Sequence, residues 1–270
     1  SEFLSQLIAL FLSLIIIHTI YVTVIPPNAD AILEQQATQQ AGGETLDVER
    51  SIYIVLKDFE QEACFVLALW VFAIMGLKAK KTLKERALLS QTLIDISPGT
   101  SLLPEDTREY SRPIQNLNET EREYLLPRAL LSGLQRFGST QSIQDVATPI
   151  KDICEHESER LASELSMVRY IIWAIPSIGF IGTVRGIGEA LGQAHKAVEG
   201  DILGVTLSLG VAFNSTFVAL IISIFIMFLM YQLQLLQERL VLDSQPVSYT
   251  HLRAHETLMN LVCRLLLEKK

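Results

Sequence analysis

The chain has 270 residues, 49% of them hydrophobic, and a formal net charge of −8. The hydrophobic residues concentrate in four blocks, 4–25, 63–77, 170–191 and 202–236. A membrane-spanning helix needs about 20 mostly apolar residues. The composition therefore excludes an ordinary soluble chain and predicts an all-α integral membrane protein with four membrane helices. The three cysteines are scattered, which argues against a disulfide framework or a zinc site.

The first block is expected to be a membrane helix, because it lacks the basic start and cleavage pattern of a signal peptide. Since the sequence has no initiator Met, it is interpreted as a fragment that starts within or just before this helix. The polar segment 26–48 is rich in Ala, Gln and Gly, and predicts a loop or a frayed helix. Apolar residues at positions 52, 55, 56, 59 and 63 have helical spacing. This spacing predicts one continuous helix into the short second span, with Lys57, Asp58, Glu60 and Glu62 near the interface.

Basic residues predict the orientation of the spans. Five of them lie in the segment 77–86, directly after the second block. Because Lys and Arg are in excess on the cytoplasmic side of membrane proteins, this segment is placed inside and the connection 26–50 outside. Alternation then puts both termini and the region 78–167 in the cytoplasm.

The cytoplasmic region is predicted to be a helical domain continued from the membrane helices. A charged helix over 80–94 is followed by a loop over 97–118, where Gly99 and three prolines interrupt helical structure. Two amphipathic helices are expected over 119–137 and 142–167, and the second runs without a clear stop into the third block. Arg128 and Arg136 of the first helix could pair with acidic side chains of the second, such as Glu155, Glu157 and Glu159.

The third block carries small and charged residues inside an apolar run. Gly179, Gly182 and Gly186 lie on one face, where small side chains favour helix packing in lipid. The Thr183 hydroxyl could face a lumen, or it could hydrogen-bond to the carbonyl four residues earlier in its own helix. Arg185 and Glu189 have the i,i+4 spacing of a charge pair. An interface anchor and a role in handling an ion or a partner remain equally open for this pair.

The fourth block has a polar cluster before its apolar half. Ser208, Ser215 and Thr216 lie near one helix face, flanked by Asn214, and Gly210 is a further candidate for helix packing. Two adjacent helices with polar groups at matching depth predict a pore. The helical pattern is expected to end near Leu242.

The C-terminal stretch 246–270 resembles a translated sequencing adapter and is interpreted as an artefactual tail. His251 and His255 have the spacing of a metal-binding pair. They lie within the adapter-like string, so no metal site is assigned to them.

Two segments together resemble the MotA/TolQ/ExbB proton channel family. In the third block, Pro176, Gly179, Gly182, Thr183, Val184 and Gly186 match the family's Pro and Gly-x-x-Gly-Thr-Val-x-Gly motif. In the fourth block, the segment 212–220 (AFNSTFVAL) matches the family's small-residue and Thr cluster. Val211 and Ala219 depart from residues common in the family.

The resemblance divides the chain into four parts. Residues 1–62 form an N-terminal membrane helix and external loop, and 63–167 a second membrane helix and the cytoplasmic helical domain. Residues 168–244 form the channel domain with two pore-type helices, and the tail follows.

The resemblance also implies a function. Five copies would surround a dimer of ExbD/TolR/MotB-like single-span partners in the bacterial inner membrane, and a membrane Asp of the partner would bind the proton. Thr183 and Thr216 would line the pore, with Ser215, Asn214 and Ser208 as further lining candidates. No cofactor and no nucleic-acid partner are expected.

An alternative interpretation is a membrane scaffold or sensor whose cytoplasmic helices bind a protein partner. The glycines would then serve packing alone. An enzyme is not expected, since the body of the chain has no Ser-His-Asp set or Gly-rich phosphate loop, and no catalytic residue is assigned.

Overall fold

The computed structural model describes residues 2–41, 51–91, 93, 106–142, 144–198 and 202–253. All regular elements within these ranges are helices. They are α1 (Glu2–Thr23), α2 (Ile25–Ala41), α3 (Ile52–Val55), α4 (Phe59–Leu89), α5 (Thr107–Gln115), α6 (Glu119–Arg122), α7 (Leu125–Thr140), α8 (Gln144–Glu164), α9 (Ser166–Gly192), α10 (Ala194–Val198) and α11 (Leu203–Arg253).

Four helical stretches are long and apolar enough to cross a membrane. They are Leu4–Gln35, Phe59–Leu89, Asp145–Gly192 and Gly204–Ser244. The predicted all-α membrane protein with four spans is therefore confirmed. The last stretch has 41 residues, which at about 1.5 Å per residue is roughly twice the thickness of the hydrocarbon core. Such a helix extends beyond the bilayer.

The chain divides into two compact units. The first, which we call the membrane unit, comprises Ser1–Leu77 and Ser166–Tyr231. The second, which we call the polar unit, comprises Lys78–Leu165 and Gln232–Lys270. Each unit collects segments that are distant in sequence.

Helix α7 forms much of the core of the polar unit. Its side chains Leu125, Leu130 and Leu134 are fully buried and share one hydrophobic cluster with Ile114 of α5 and Ile150 of α8. Burying such side chains contributes about 1.5–3 kcal/mol each. Apolar packing therefore holds these short helices together.

Two segments predicted to lack stable helix are partly helical. Helix α2 occupies much of 26–48, and α5 lies within the predicted loop 97–118. Pro113 lies inside α5, and the neighbouring Ile114 is fully buried in the polar unit's core. Tertiary burial thus outweighs the local helix-breaking signal.

The helix predicted over 119–137 is in fact two helices, α6 and α7. Between them Tyr124 has an extended backbone with ψ near 157°. Pro127 then falls in the first turn of α7, where its missing N–H leaves no helical hydrogen bond unmade. Gly138 does not end the helix, which continues to Thr140 and stops at Gln141 in the left-handed conformation.

The continuous helix predicted from Ile52 into the second span is broken. Helix α3 ends at Val55 and α4 begins at Phe59. The Gln61 side chain folds back, and its Nε2 donates to the Val55 carbonyl over 3.1 Å. Side-chain bonds to the backbone compete with helix continuation in this way.

Helix α11 runs past its predicted end near Leu242, as far as Arg253. Ser244, just beyond that point, is buried, and its Oγ donates to the Leu240 carbonyl of the same helix over 2.7 Å. The polar group is therefore satisfied without leaving the helix. His251 lies within α11, while His255 and the remainder of the tail lie outside the described residues.

Candidate functional site: a threonine pair between two spanning helices

Thr183 of α9 and Thr216 of α11 meet at the contact between their helices. Their hydroxyl groups are hydrogen-bonded directly to each other. Thr183 Oγ1 also lies 3.0 Å from the Ala212 carbonyl of α11, and Thr216 Oγ1 lies 3.0 Å from the Gly179 carbonyl of α9. Both side chains are half-buried. Each hydroxyl thus reaches a carbonyl of the opposite helix.

Three glycines allow this close approach. A Cβ atom at Gly186 would lie 2.6 Å from the Ala212 nitrogen, and one at Gly179 would lie 2.5 Å from the Ala219 Cβ. A Cβ at Gly182 would overlap Ser215. The two backbones can approach only because these positions carry no side chain.

Gly210 differs from these three glycines. A Cβ there would meet no other group of this chain within 4 Å, among the residues that the structure describes. The packing role predicted for Gly210 therefore stays a prediction, and it would require that a helix of another chain packs against this position.

The remaining polar residues of α11 occupy different environments. Ser215 is 1% exposed, and its Oγ donates to the Val211 carbonyl over 2.9 Å. Ser208 is also buried and accepts a hydrogen bond from Gln193 Nε2 over 3.3 Å. Asn214 is half-buried. The two serines lie inside the α9–α11 contact of this chain, so their lining of a pore remains a prediction.

Arg185 organises a charge network close to the threonine pair. It contacts Glu60 through two hydrogen bonds, Nε to Oε1 at 2.7 Å and Nη2 to Oε2 at 2.9 Å. Its Nη1 lies 3.0 Å from Glu189 Oε1, the pair expected from the i,i+4 spacing. Its Nη2 also lies 3.5 Å from Asp58 Oδ1, and its guanidinium carbon lies 4.8 Å from the centre of the Phe59 ring. Such a bidentate pair is geometrically specific as well as strong.

Glu60 is the functional candidate that the sequence analysis missed. It is 1% exposed, and its Cγ would lie 3.2 Å from a Cβ at Gly182, the neighbour of Thr183. A signal for it was present in the sequence. The predicted orientation places the acids at the start of the second span at the same depth as the cation in the third span. Because buried charges in membranes pair with one another, a contact between them could have been expected.

The arrangement provides hydrogen-bonding capacity at membrane depth without a carboxylate between the two hydroxyls. Each hydroxyl can donate once and accept twice. Among the described residues, no group of three or more His, Cys, Asp or Glu side chains is placed to hold a metal ion. The chemistry available at the pair is therefore the binding of water, or of a polar group brought by another chain.

Fold and site together define a class: a multi-pass α-helical membrane protein in which two spans form a glycine-packed contact with a threonine pair. Residues 121–245 match the family model of the MotA/TolQ/ExbB proton channel family. This match agrees with the resemblance carried by the two sequence motifs, and it supports a proton channel subunit. It begins ahead of the motifs and includes α7 and α8. Comparisons with the curated proteins and with the solved structures give no match.

Proposed function

We propose that this chain is the channel subunit of a bacterial inner-membrane complex driven by the proton motive force. It would conduct H⁺ together with an ExbD/TolR/MotB-like single-span partner and power transport or motion. The observation that supports this most directly is the Thr183–Thr216 hydroxyl pair, which lies within the region matched by the proton channel family.

The pair needs a partner to move a proton. Neither threonine carries a titratable group, and the carboxylate of Glu60 is held by Arg185. An Asp on the partner's helix would supply the group that takes up and releases the proton. A carboxylate in hydrocarbon is costly unless it is hydrogen-bonded. Hydroxyls at the same depth, or water bound to them, would lower that cost.

Assembly as a homopentamer would cover helix faces that are exposed in the single chain. On α9 the large apolar side chains of Phe180, Ile181 and Val184 are exposed in the single chain. The open side of Gly210 on α11 offers a close approach for another helix. Neighbouring copies and lipid would cover these faces together.

The test is proton flux in liposomes. The chain is co-reconstituted with a candidate partner, a single-span membrane protein that carries a membrane Asp, and uptake is followed with a pH-sensitive dye under an imposed potential. Thr183→Val with Thr216→Val removes both hydroxyls at nearly constant shape. Losing about 1 kcal/mol for each hydrogen bond predicts a fall in flux of about 10- to 30-fold.

The matched control is Thr19→Val with Thr206→Val. Both of these threonines are exposed, and each hydroxyl donates to the carbonyl four residues earlier in the chain, at Ile15 and Ile202. The control should conduct like the wild type. If the double variant of Thr183 and Thr216 also assembles with the partner and conducts normally, the channel role of the pair is wrong. The scaffold interpretation is then favoured.

A further inference from the structure

Three buried side-chain oxygens lie around the break between α3 and α4. Tyr21 Oη, Asp58 Oδ2 and Gln61 Oε1 are each buried and have no hydrogen-bond partner among the described residues. Tyr21 is 4% exposed and Gln61 is fully buried. Buried polar atoms in native proteins almost always have a partner. Three such atoms in one region therefore indicate a bound species.

The three residues are held in one neighbourhood. The Gln61 backbone N–H donates to the Asp58 carbonyl over 3.1 Å, which places both residues in the first turn leading into α4. Tyr21 belongs to α1, and its hydroxyl is buried. One turn earlier in α1, His18 contacts Glu62 at 2.7 Å. Helix α1 therefore packs its Tyr21 face against this turn.

The charges around the turn leave Asp58 short of positive charge. Arg185 has three acids within reach, Asp58, Glu60 and Glu189, which leaves two negative charges in excess. Glu60 takes both of its hydrogen bonds from Arg185, whereas Asp58 meets it through Oδ1 alone, at 3.5 Å. The neighbouring Lys57 lies 3.6 Å from Asp30.

We propose that Tyr21, Asp58 and Gln61 bind a small monovalent cation. A carboxylate, an amide carbonyl and a hydroxyl are hard oxygen ligands of the kind that alkali cations accept. One carboxylate with two neutral oxygens balances a single positive charge. Na⁺ is the probe of choice, because it is small and oxygen-seeking.

The position places such a cation next to the charge network of Arg185. Asp58 is two residues from Glu60, whose side chain packs against Gly182 beside Thr183. A cation held there would offset the excess of negative charge around Arg185. Its binding does not rest on the proposed function.

The experiment measures cation-dependent stability of the full chain in detergent. Thermal unfolding is compared in NaCl and in choline chloride at equal ionic strength. A ligand that binds only the folded state raises the unfolding midpoint, so the wild type should unfold several degrees higher in NaCl. Tyr21→Phe and Asp58→Asn should each lose most of this difference.

Tyr170→Phe is the matched control, because Tyr170 lies in α9 and is 69% exposed. It should keep the full difference. Equal midpoints in the two salts for the wild type would overturn the proposal and assign the three oxygens to water. A difference that persists in both Tyr21→Phe and Asp58→Asn would also overturn it, since the cation would then bind elsewhere.

The Thr183→Val, Thr216→Val protein separates this proposal from the proposed function. It should retain the Na⁺-dependent midpoint while its proton flux falls. Binding without any change in flux would leave the cation site standing and refute the channel role.

Discussion

The two compact units each contain a charge cluster. The cluster of the membrane unit is centred on a cation, whereas the cluster of the polar unit is centred on an anion. In the membrane unit the cation Arg185 is surrounded by acids. In the polar unit Glu157 lies between Arg128 at 3.1 Å and Arg160 at 2.5 Å. The burial also differs. The membrane unit buries the outer acid Glu60, which is 1% exposed, whereas the polar unit buries the central Glu157 and leaves both arginines more than 40% exposed.

This difference in burial determines which charge is left without a partner when the central residue of a cluster is replaced. Without Arg185, a buried carboxylate loses its partner in a region that water hardly reaches. Without Glu157, Arg128 loses its partner and Arg160 keeps Glu164 at 3.6 Å, and both arginines can turn to solvent. Removing one member of a buried pair is costly mainly because of the charge left behind. The membrane unit should therefore be the more sensitive of the two.

The largest effect is expected from Arg185→Leu. Glu60 would stay buried without its two hydrogen bonds, and the loss should be about 3–4 kcal/mol of the free energy of unfolding. Denaturant unfolding in detergent micelles measures it. Arg185→Leu with Glu60→Leu removes both charges and should recover most of the loss. A double variant as unstable as the single one would show that packing, and not the unpaired charge, carries the effect.

The next effect concerns Glu85 of α4, which belongs to the polar unit and lies in the basic segment that follows the second apolar block. Burial first, and the Glu157 charge second, raise the pKa of its carboxyl from 4.5 to about 7, although the charges of Lys81, Arg160 and Arg128 act in the opposite direction. Between about pH 4.5 and 7 the unfolded chain loses this proton while the folded chain keeps it. Stability should therefore fall with rising pH across that window, by about 2–3 kcal/mol, and stay level above it.

Glu85→Gln tests the assignment, because an amide cannot titrate. Unfolding midpoints measured from pH 5 to 8 should decline less in this variant than in the wild type. Parallel pH curves for the two proteins would mean that another group is responsible. Glu157→Gln should shift the wild-type decline to lower pH, since one of the charges that raise the Glu85 pKa is gone.

The smallest effect is expected from Glu157→Gln itself, measured at pH 8. Hydrogen bonds to a charged group are lost, but the half-exposed arginines can hydrate, so we expect about 1.5 kcal/mol. Glu159→Gln on the same helix is the control. Because Glu159 is 82% exposed, this substitution should leave the free energy of unfolding unchanged. A loss for Glu157→Gln as large as that for Arg185→Leu would contradict the contrast between the two clusters.

Several features were predictable because they depend on local pattern. The four spans follow from runs of apolar residues, and the packing face of α9 follows from the spacing of its glycines. The Arg185–Glu189 contact follows from helical periodicity, which places residues four apart on one side. The resemblance to the family whose model matches residues 121–245 rests on two short motifs.

Other features were missed because local pattern and tertiary burial disagree. The Gln61 side chain breaks the helix predicted through 52–63 by bonding to the Val55 carbonyl. Helix α5 forms despite Pro113, because burial of Ile114 outweighs the propensity of the segment. Such outcomes depend on contacts that no short window of sequence contains.

An all-helical membrane protein with polar groups in its third and fourth spans could be deduced from the sequence, because bilayer thickness and helical periodicity act over neighbouring residues. The pairing of those polar groups depends on the tertiary structure. Glu60 and Arg185 are 125 positions apart, and Thr183 bonds Thr216 only where three glycines let two backbones meet. Gly186 and Gly210 look alike in the sequence, yet one faces α11 and the other faces open space in this chain. Pairing is a property of which helix faces pack together, and long-range contacts set it.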